Sequence, residues 1–219
     1  MLETKEIESI LDAHNKIRSR VATKTETSVS SLPYAKNMMQ YYWNDDYERK
    51  AKAIANKNKN THSNPDDRTD SGKVLNENIF QRTSNGMDDQ YDWNAAINSW
   101  FNEGKGFNRE EVKSFAGNEK SLHFVNMIYA NNYYIGCARS TNVDNGGHSQ
   151  IYVCLYGPKS IQKPNSIYED AETDVGCKCP AGTSCSNLDY KGLCCPTGHC
   201  SKTHIRYNGP KIKIDNNKM

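Results

Sequence analysis

Residues 133–157 read YYIGCARSTNVDNGGHSQIYVCLYG, and this stretch decides the class of fold. Two runs rich in β-branched and aromatic residues, 133–138 and 151–156, flank Asn145-Gly146, the dipeptide best suited to a two-residue hairpin turn because both positions tolerate positive φ. Centring the hairpin on that pair sets Cys137 opposite Cys154, within the Cα separation a disulfide tolerates. A longer loop would break this register. A further β-rich run at 124–129 predicts another strand, and His148, beside Gly146-Gly147, reads as a turn residue.

Upstream of these strands the period changes. Ile7, Ile10, Leu11, His14, Ile17, Arg18 and Val21 fall on one stripe of a 3.6-residue helix, which predicts a helix from about Thr4 to Ala22. His14 lies on that apolar stripe and reads as a hydrogen-bonded packing residue. Trp43, Tyr47, Ala51, Ile54 and Ala55 keep the same spacing, with Asn44, Asp45 and Asp46 as cap and first-turn acids, so a second helix is expected there. Residues 56–85 are rich in Asn, Asp, Ser, Thr and Lys and read as loop, with a short helical turn at most around 74–80. Trp93, Ala96, Ile97, Trp100 and Phe101 mark a third helix, which Gly104 and Gly106 stop. Helices first and strands late predict an α+β domain.

Composition narrows the class further. Hydrophobic residues make up 36% of 219, below the roughly 45–50% of an average globular domain, and mean hydropathy is −0.88. No run approaches the roughly 18 apolar residues a membrane helix needs, which excludes a spanning segment. A net charge of +2 spread along the chain argues against nucleic acid as the main partner. Six of the eight cysteines (Cys177, Cys179, Cys185, Cys194, Cys195 and Cys200) crowd into 24 residues, the density of a disulfide-stapled module in an oxidising compartment. Zinc is the competing reading, with His199 and His204 nearby, but paired C-x-x-C spacing is absent. The expected organisation is a main domain over 1–158, a linker over 159–176, the cysteine-rich module over 177–200 and a basic polar tail over 201–219. The main domain is expected to fold without the linker, the module or the tail. Met1 leads into Leu-Glu-Thr-Lys-Glu with no apolar signal segment, so the chain reads as a mature secreted sequence, extracellular in location, with an initiator Met.

The motifs occur in a telling order: Leu11-x-x-His14-Asn15-x-x-Arg18, Tyr42-Trp43-Asn44, His62-Ser63, Asn76-Glu77-Asn78, Trp100-x-x-Glu103, Leu122-His123-Phe124, Ile135-Gly136-Cys137 and Val153-Cys154-x-Tyr156. In this order and spacing the chain resembles the CAP superfamily of cysteine-rich secretory, venom-allergen and pathogenesis-related proteins, and its cysteine-rich end resembles the nematode venom-allergen-like and activation-associated secreted branch. The resemblance implies a three-layer α-β-α sandwich with a short disulfide-rich extension. It also implies a cleft lined by His62, Glu77, Glu103 and His123, all four present. Two imidazoles with nearby carboxylates suit Zn²⁺ or another divalent ion, His62 and His123 binding it and Glu77 and Glu103 orienting ring or water. Taken singly, each of the four would read as a solvated or structural residue. Departures from the family pattern are Leu122 for the Gly before the cleft histidine, Asn126 for the Gln after it, Asn76 for a Gly, and Asn58 to Asn60 in place of a cysteine.

A cleft of this kind is not by itself a catalytic mechanism. No Ser or Cys is placed to be a nucleophile and no G-x-S-x-G stands out, so a metal-dependent hydrolase is the least favoured reading. The resemblance implies a secreted, non-enzymatic protein, similar to helminth effectors that bind a host protein or receptor and modulate immunity. The alternative is a module carrying a sterol or fatty acid, with Ile7, Ile10, Leu11 and the aromatics of the third helix as candidate walls. Those residues are equally needed to pack the core.

Overall fold

The computed structural model describes residues 1–84, 90–144, 147–161, 164–173 and 177–213. In chain order the elements are α1 (Thr4–Ala22), β1 (Tyr34–Ala35), β2 (Tyr42–Trp43), α2 (Asp45–Ala55), β3 (Thr69–Asp70), β4 (Lys73–Val74), β5 (Asn76–Ser84), α3 (Trp93–Asn102), α4 (Arg109–Lys113), α5 (Leu122–Ile128), β6 (Tyr134–Asp144), β7 (Gly147–Gly157), β8 (Asp170–Ala171), β9 (Thr183–Ser184) and β10 (Cys195–Pro196). Asn44 caps α2 through its side chain, which accepts from the amides of Asp46 and Tyr47.

The central sheet has the order β2-β6-β7-β5, with β2 parallel to β6 and the other pairs antiparallel. Cys137 pairs with Cys154 in the β6–β7 ladder, and the two are disulfide-bonded with 4.1 Å between their Cα atoms. The turn residues Asn145 and Gly146 lie outside the described residues. His148, expected in a turn, belongs to β7 opposite Val143, because the ladder runs up to the Asp144–Gly147 pair.

Strand alternation divides the core in two. Tyr152, Cys154 and Tyr156 of β7 join Ile7, Ile10, Leu11 and Ile17 of α1, Ala96 and Trp100 of α3, and Phe124 and Val125 of α5. Their neighbours Ile151, Val153 and Leu155 join Tyr47, Ala51, Ile54 and Ala55 of α2. Helices therefore cover both faces of the sheet, and the fold is a three-layer α-β-α sandwich with a disulfide-rich C-terminal region. Where β6 passes α2 the approach is so close that a Cβ on Gly136 would run into the backbone of Asn44 and Glu48, so glycine is required there.

Arg18 ties these layers together. Its side chain is fully buried on the apolar stripe of α1, with the guanidinium 4.2 Å from the centroid of the Tyr41 ring. It donates to four carbonyls, those of Met39 (2.7 Å), Met127 (2.9 Å), Tyr129 (3.1 Å) and Asn132 (3.2 Å). Burial pushes its pKa down from the ordinary arginine value, yet a guanidinium stays charged at any physiological pH.

Other sequence expectations also require correction. Residues 124–128 are helical, in α5, where Phe124, Val125, Asn126, Met127 and Ile128 are all buried, so no polar face reveals the helical period. Residues 76–84 form the long edge strand β5 instead of loop or helical turn, because β7 offers it nine paired residues. The stretch read as a linker and the extension are also built into the body. Ile167 and Tyr168 are buried in the larger core, and β8 pairs with β1. Tyr190 and Leu193 join the same core, the Cys194 amide donates to the Met38 carbonyl, and the Trp43 amide donates to the Ile205 carbonyl. The six clustered cysteines pair as Cys177–Cys185, Cys179–Cys194 and Cys195–Cys200.

Truncation after Lys159 is therefore expected to abolish cooperative unfolding, and Ile167→Ala to cost about 2–4 kcal/mol, as a large-to-small change at a closed site does. Urea titration followed by tryptophan fluorescence measures both, and an unchanged midpoint for the truncated chain would overturn the assignment. Arg18→Lys keeps the charge but offers one compact donor group in place of a planar fork, and should cost about 2–4 kcal/mol in the same assay.

Candidate functional site

β5 is the free edge of the central sheet, so loops from either face can meet around its first residues. Glu77, second in β5, is buried, with its side chain 1% exposed. Its carboxylate accepts from His62 Nδ1 (2.9 Å), the Ser63 amide (3.0 Å) and the Ser63 hydroxyl (2.6 Å), and Arg68 Nε lies 3.9 Å away. Burial by itself would raise the Glu77 carboxyl. The hydrogen bonds from His62 and Ser63, with the Arg68 charge, outweigh it and hold the group below the usual carboxylate range.

Glu103 follows α3 as its C-terminal cap residue, and His123 is the second residue of α5. The Glu103 carboxylate accepts from the His123 amide (3.0 Å) and from His123 Nδ1 (2.7 Å). The two histidine rings stand 5.8 Å apart between centroids, with planes at 45°, and Trp100 packs 6.4 Å from the His123 ring. The structure thus brings His62, Glu77, Glu103 and His123 together as two His–Glu pairs. An adjoining pocket of about 240 Å³ is lined by His62, Arg68, Asn76, Glu77, Leu122, Asn126 and Ile161.

The chemistry of the pairs depends on which groups can donate. An ionised carboxylate only accepts, so each Nδ1 carries a proton, and in the neutral ring the lone pair is at Nε2. His123 Nε2 is buried and has no hydrogen-bond partner among the described residues. A buried polar atom left in this state is costly unless something outside the protein satisfies it. That is the arrangement in which imidazole binds a metal ion, with a carboxylate fixing the tautomer and ring.

Behind the pairs runs a chain of buried hydrogen bonds. Asn126 Nδ2 donates to Asn78 Oδ1 (2.9 Å) and to the Glu77 carbonyl (3.2 Å), and Asn78 Nδ2 donates to the His123 carbonyl (3.0 Å) and the Tyr156 hydroxyl (3.1 Å). The Tyr156 hydroxyl reaches His14 Nε2 (3.1 Å), and His14 Nδ1 donates to the Ile10 carbonyl (2.8 Å). Site and first helix are therefore one polar network. Ser63, Arg68 and Asn78 were not singled out as functional from sequence. The motif pairs His62-Ser63 and Glu77-Asn78 contain the signal for two of them, whereas Arg68 left none.

Other expected sites fall elsewhere. Ile7, Ile10, Leu11, Trp93 and Trp100, read as possible walls of a lipid groove, are buried in one packed core. The thiols of Cys177, Cys179 and Cys194 cluster, but all three are bound in disulfides. A larger recess of about 780 Å³ lies between α2 and the C-terminal segment and contains none of the four cleft residues.

With this geometry in hand, comparison with known proteins is direct. The sequence profile of CAP, the cysteine-rich secretory protein family, matches residues 11–156, more than half of the chain. The chain belongs to that family. It is 34% identical over 209 residues to "CRISP/Allergen/PR-1" of Trittame loki, covering 93% of this chain and 50% of that protein. It is 31% identical over 187 residues to "Scoloptoxin SSD552" of Scolopendra dehaani, covering 84% and 81%. The chain spans about half the length of several curated relatives it matches. Among solved structures it is similar to a crystal structure of NaASP2 with Zn²⁺, with a TM-score of 0.65 and 25% identity over 78% of this chain and 88% of that one. No helix among the described residues is long and apolar enough to cross a membrane.

The polar network has a pH signature. Burial lowers the His14 pKa from 6.5 to about 4, so between those values the unfolded chain takes up a proton that the folded protein refuses. Stability should fall as pH drops through this window, by up to ~3 kcal/mol from this residue alone. Denaturant titrations from pH 7 to pH 4 on wild type and His14→Gln measure it, and an equal pH slope in the two proteins would show that His14 is not responsible.

Proposed function

We propose that this is a secreted, non-enzymatic CAP protein that holds a divalent ion, Zn²⁺ first, in an exchangeable site between His62 and His123, and that acts by binding a host protein or receptor. The observation that carries the metal reading is the pair of imidazoles, each tied to a carboxylate at Nδ1, with His123 Nε2 buried and without a partner. The donor set fits the ion. His62 and His123 would bind it, while Glu77 and Glu103 orient the rings, and the ion would supply open coordination positions to a ligand atom. Only two strong protein ligands are offered, where a structural zinc has four, so the apoprotein should stay folded. The Zn²⁺ in the NaASP2 structure supports the choice of metal. Eight cysteines in four disulfides, and relatives named as venom allergen and cysteine-rich venom proteins, support action outside the cell. The paired cysteines also leave no thiol nucleophile.

Titration calorimetry with ZnCl₂ tests the site. His62→Ala/His123→Ala is expected to bind one equivalent fewer than wild type, and Glu103→Gln to bind roughly tenfold more weakly because His123 loses its anchoring anion. A metal bound through imidazole competes with protons for the ring nitrogen, so affinity should fall as pH is lowered from about 7.5 to about 5.5. Equal zinc uptake by the double variant would place the ion elsewhere.

A further inference from the structure

Two histidines of the C-terminal extension play no part in the cleft. His199 and His204 stand ring to ring, 5.2 Å between centroids with planes at 54°, closer than the cleft pair. An ion held ~2.0 Å from one nitrogen of each of two imidazoles, in a roughly tetrahedral arrangement, places the ring centroids ~5 Å apart. The two rings already stand at that spacing. Among the described residues His204 Nδ1 is buried without a hydrogen-bond partner, and the contact of His199 Nδ1 with the Thr197 carbonyl, at 3.4 Å, is long. Among the described residues no carboxylate is bonded to either ring.

The scaffold under the pair is fixed independently of the rings. The Cys195–Cys200 disulfide closes the turn that carries His199, whose amide donates to the Pro196 carbonyl (2.8 Å) and whose carbonyl accepts from the Tyr42 hydroxyl (3.0 Å). The His204 amide donates to the Ser201 carbonyl (3.1 Å), and the next carbonyl, of Ile205, accepts from the Trp43 amide in the central sheet (2.7 Å). Tyr207 packs edge-on against His199 at 5.1 Å. Both histidines are half-buried, so an ion can enter without unfolding the segment.

Two imidazoles without a carboxylate offer little to Ca²⁺ or Mg²⁺ and suit a borderline transition ion, among which Cu²⁺ binds nitrogen more strongly than Zn²⁺. Four disulfides indicate an oxidising setting, in which copper is divalent. We propose that His199 and His204 form a second metal site, in the extension, that prefers Cu²⁺ to Zn²⁺ and is independent of the cleft.

Copper titration of the full chain, by calorimetry and by electron paramagnetic resonance, tests it on wild type, His199→Ala/His204→Ala and His62→Ala/His123→Ala. The expected result is that His199→Ala/His204→Ala loses one equivalent of Cu²⁺, or binds it at least tenfold more weakly, and loses the associated nitrogen hyperfine signal, while His62→Ala/His123→Ala retains both. If wild type binds a single Cu²⁺ and only the His199/His204 variant loses it, this site stands and the cleft reading fails. Undiminished copper binding by His199→Ala/His204→Ala, or copper lost only with His62 and His123, overturns the proposal. Metal-free thermal melts check folding, and His199→Gln/His204→Gln replaces the alanine variant if its melt differs from wild type.

Discussion

A buried cation with no carboxylate partner organises this molecule. Taking a guanidinium out of water is expensive, and it is tolerated only where every donor finds an acceptor and the geometry is fixed. Arg18 comes close to that condition: four of its five N–H donors meet backbone carbonyls, drawn from residue 39 and from the segment 127–132, and the guanidinium lies over the face of Tyr41. None of those carbonyls belongs to its own helix. The constraint therefore acts on the entry to β2 and on the exit from α5 at once, and it sets where both lie relative to α1. Asn15, one turn earlier, accepts from the Tyr41 amide and donates to the Tyr41 carbonyl, so the same helix grips that strand entry twice.

The His–Glu cluster inherits its precision from this arrangement. α5 delivers His123 and Asn126, and its end is held by Arg18, while the Tyr41 hydroxyl donates to the Asn126 carbonyl within it. Asn78, Tyr156 and His14 then carry hydrogen bonding from the sheet edge back to α1. Neither histidine has to find its carboxylate by chance. Each ring is locked at Nδ1 by a carboxylate that also accepts a backbone amide, from Ser63 in one pair and from His123 in the other. A site that holds a ligand needs its side chains anchored by well-held neighbours, and the four residues of this cluster have that anchoring.

Most of the local architecture was legible in the sequence because it rests on local signals. The stripe of α1, the Asn44 cap of α2, the Trp93 face of α3 and the Cys137–Cys154 register of β6 and β7 each state their geometry within a few residues. What was misread depends on distant partners. α5 is buried all round from Phe124 to Ile128, its one polar residue there included, and so lacks the solvent-facing period that distinguishes a helix from a strand. β5 begins Asn76-Glu77-Asn78, and these polar residues, turned to site chemistry, mask the alternation that Ile79 and Phe80 would otherwise show. Ile167 and Tyr168 are two apolar residues in a polar stretch, too short a signal to announce core. The docking of residues 194–206 beside β2 relies largely on backbone groups, which any sequence would supply, with the Tyr42 hydroxyl added. For the site, the family motifs located all four residues, but the partners that aim them are visible only in three dimensions.

The stitching of both chain ends into one core has a consequence for biosynthesis. α1 leaves the ribosome well ahead of residues 191–205, yet the Ser19 hydroxyl needs the Lys191 carbonyl, the Gln40 amide needs that of Cys194, and the Trp43 amide needs that of Ile205. At a translation rate of about 5–20 residues per second, α1 waits on the order of ten to forty seconds for those partners to be made. α3, α5 and β7 can cover its apolar stripe in the meantime, but the contacts with residues 190–205 close only once that segment has left the ribosome.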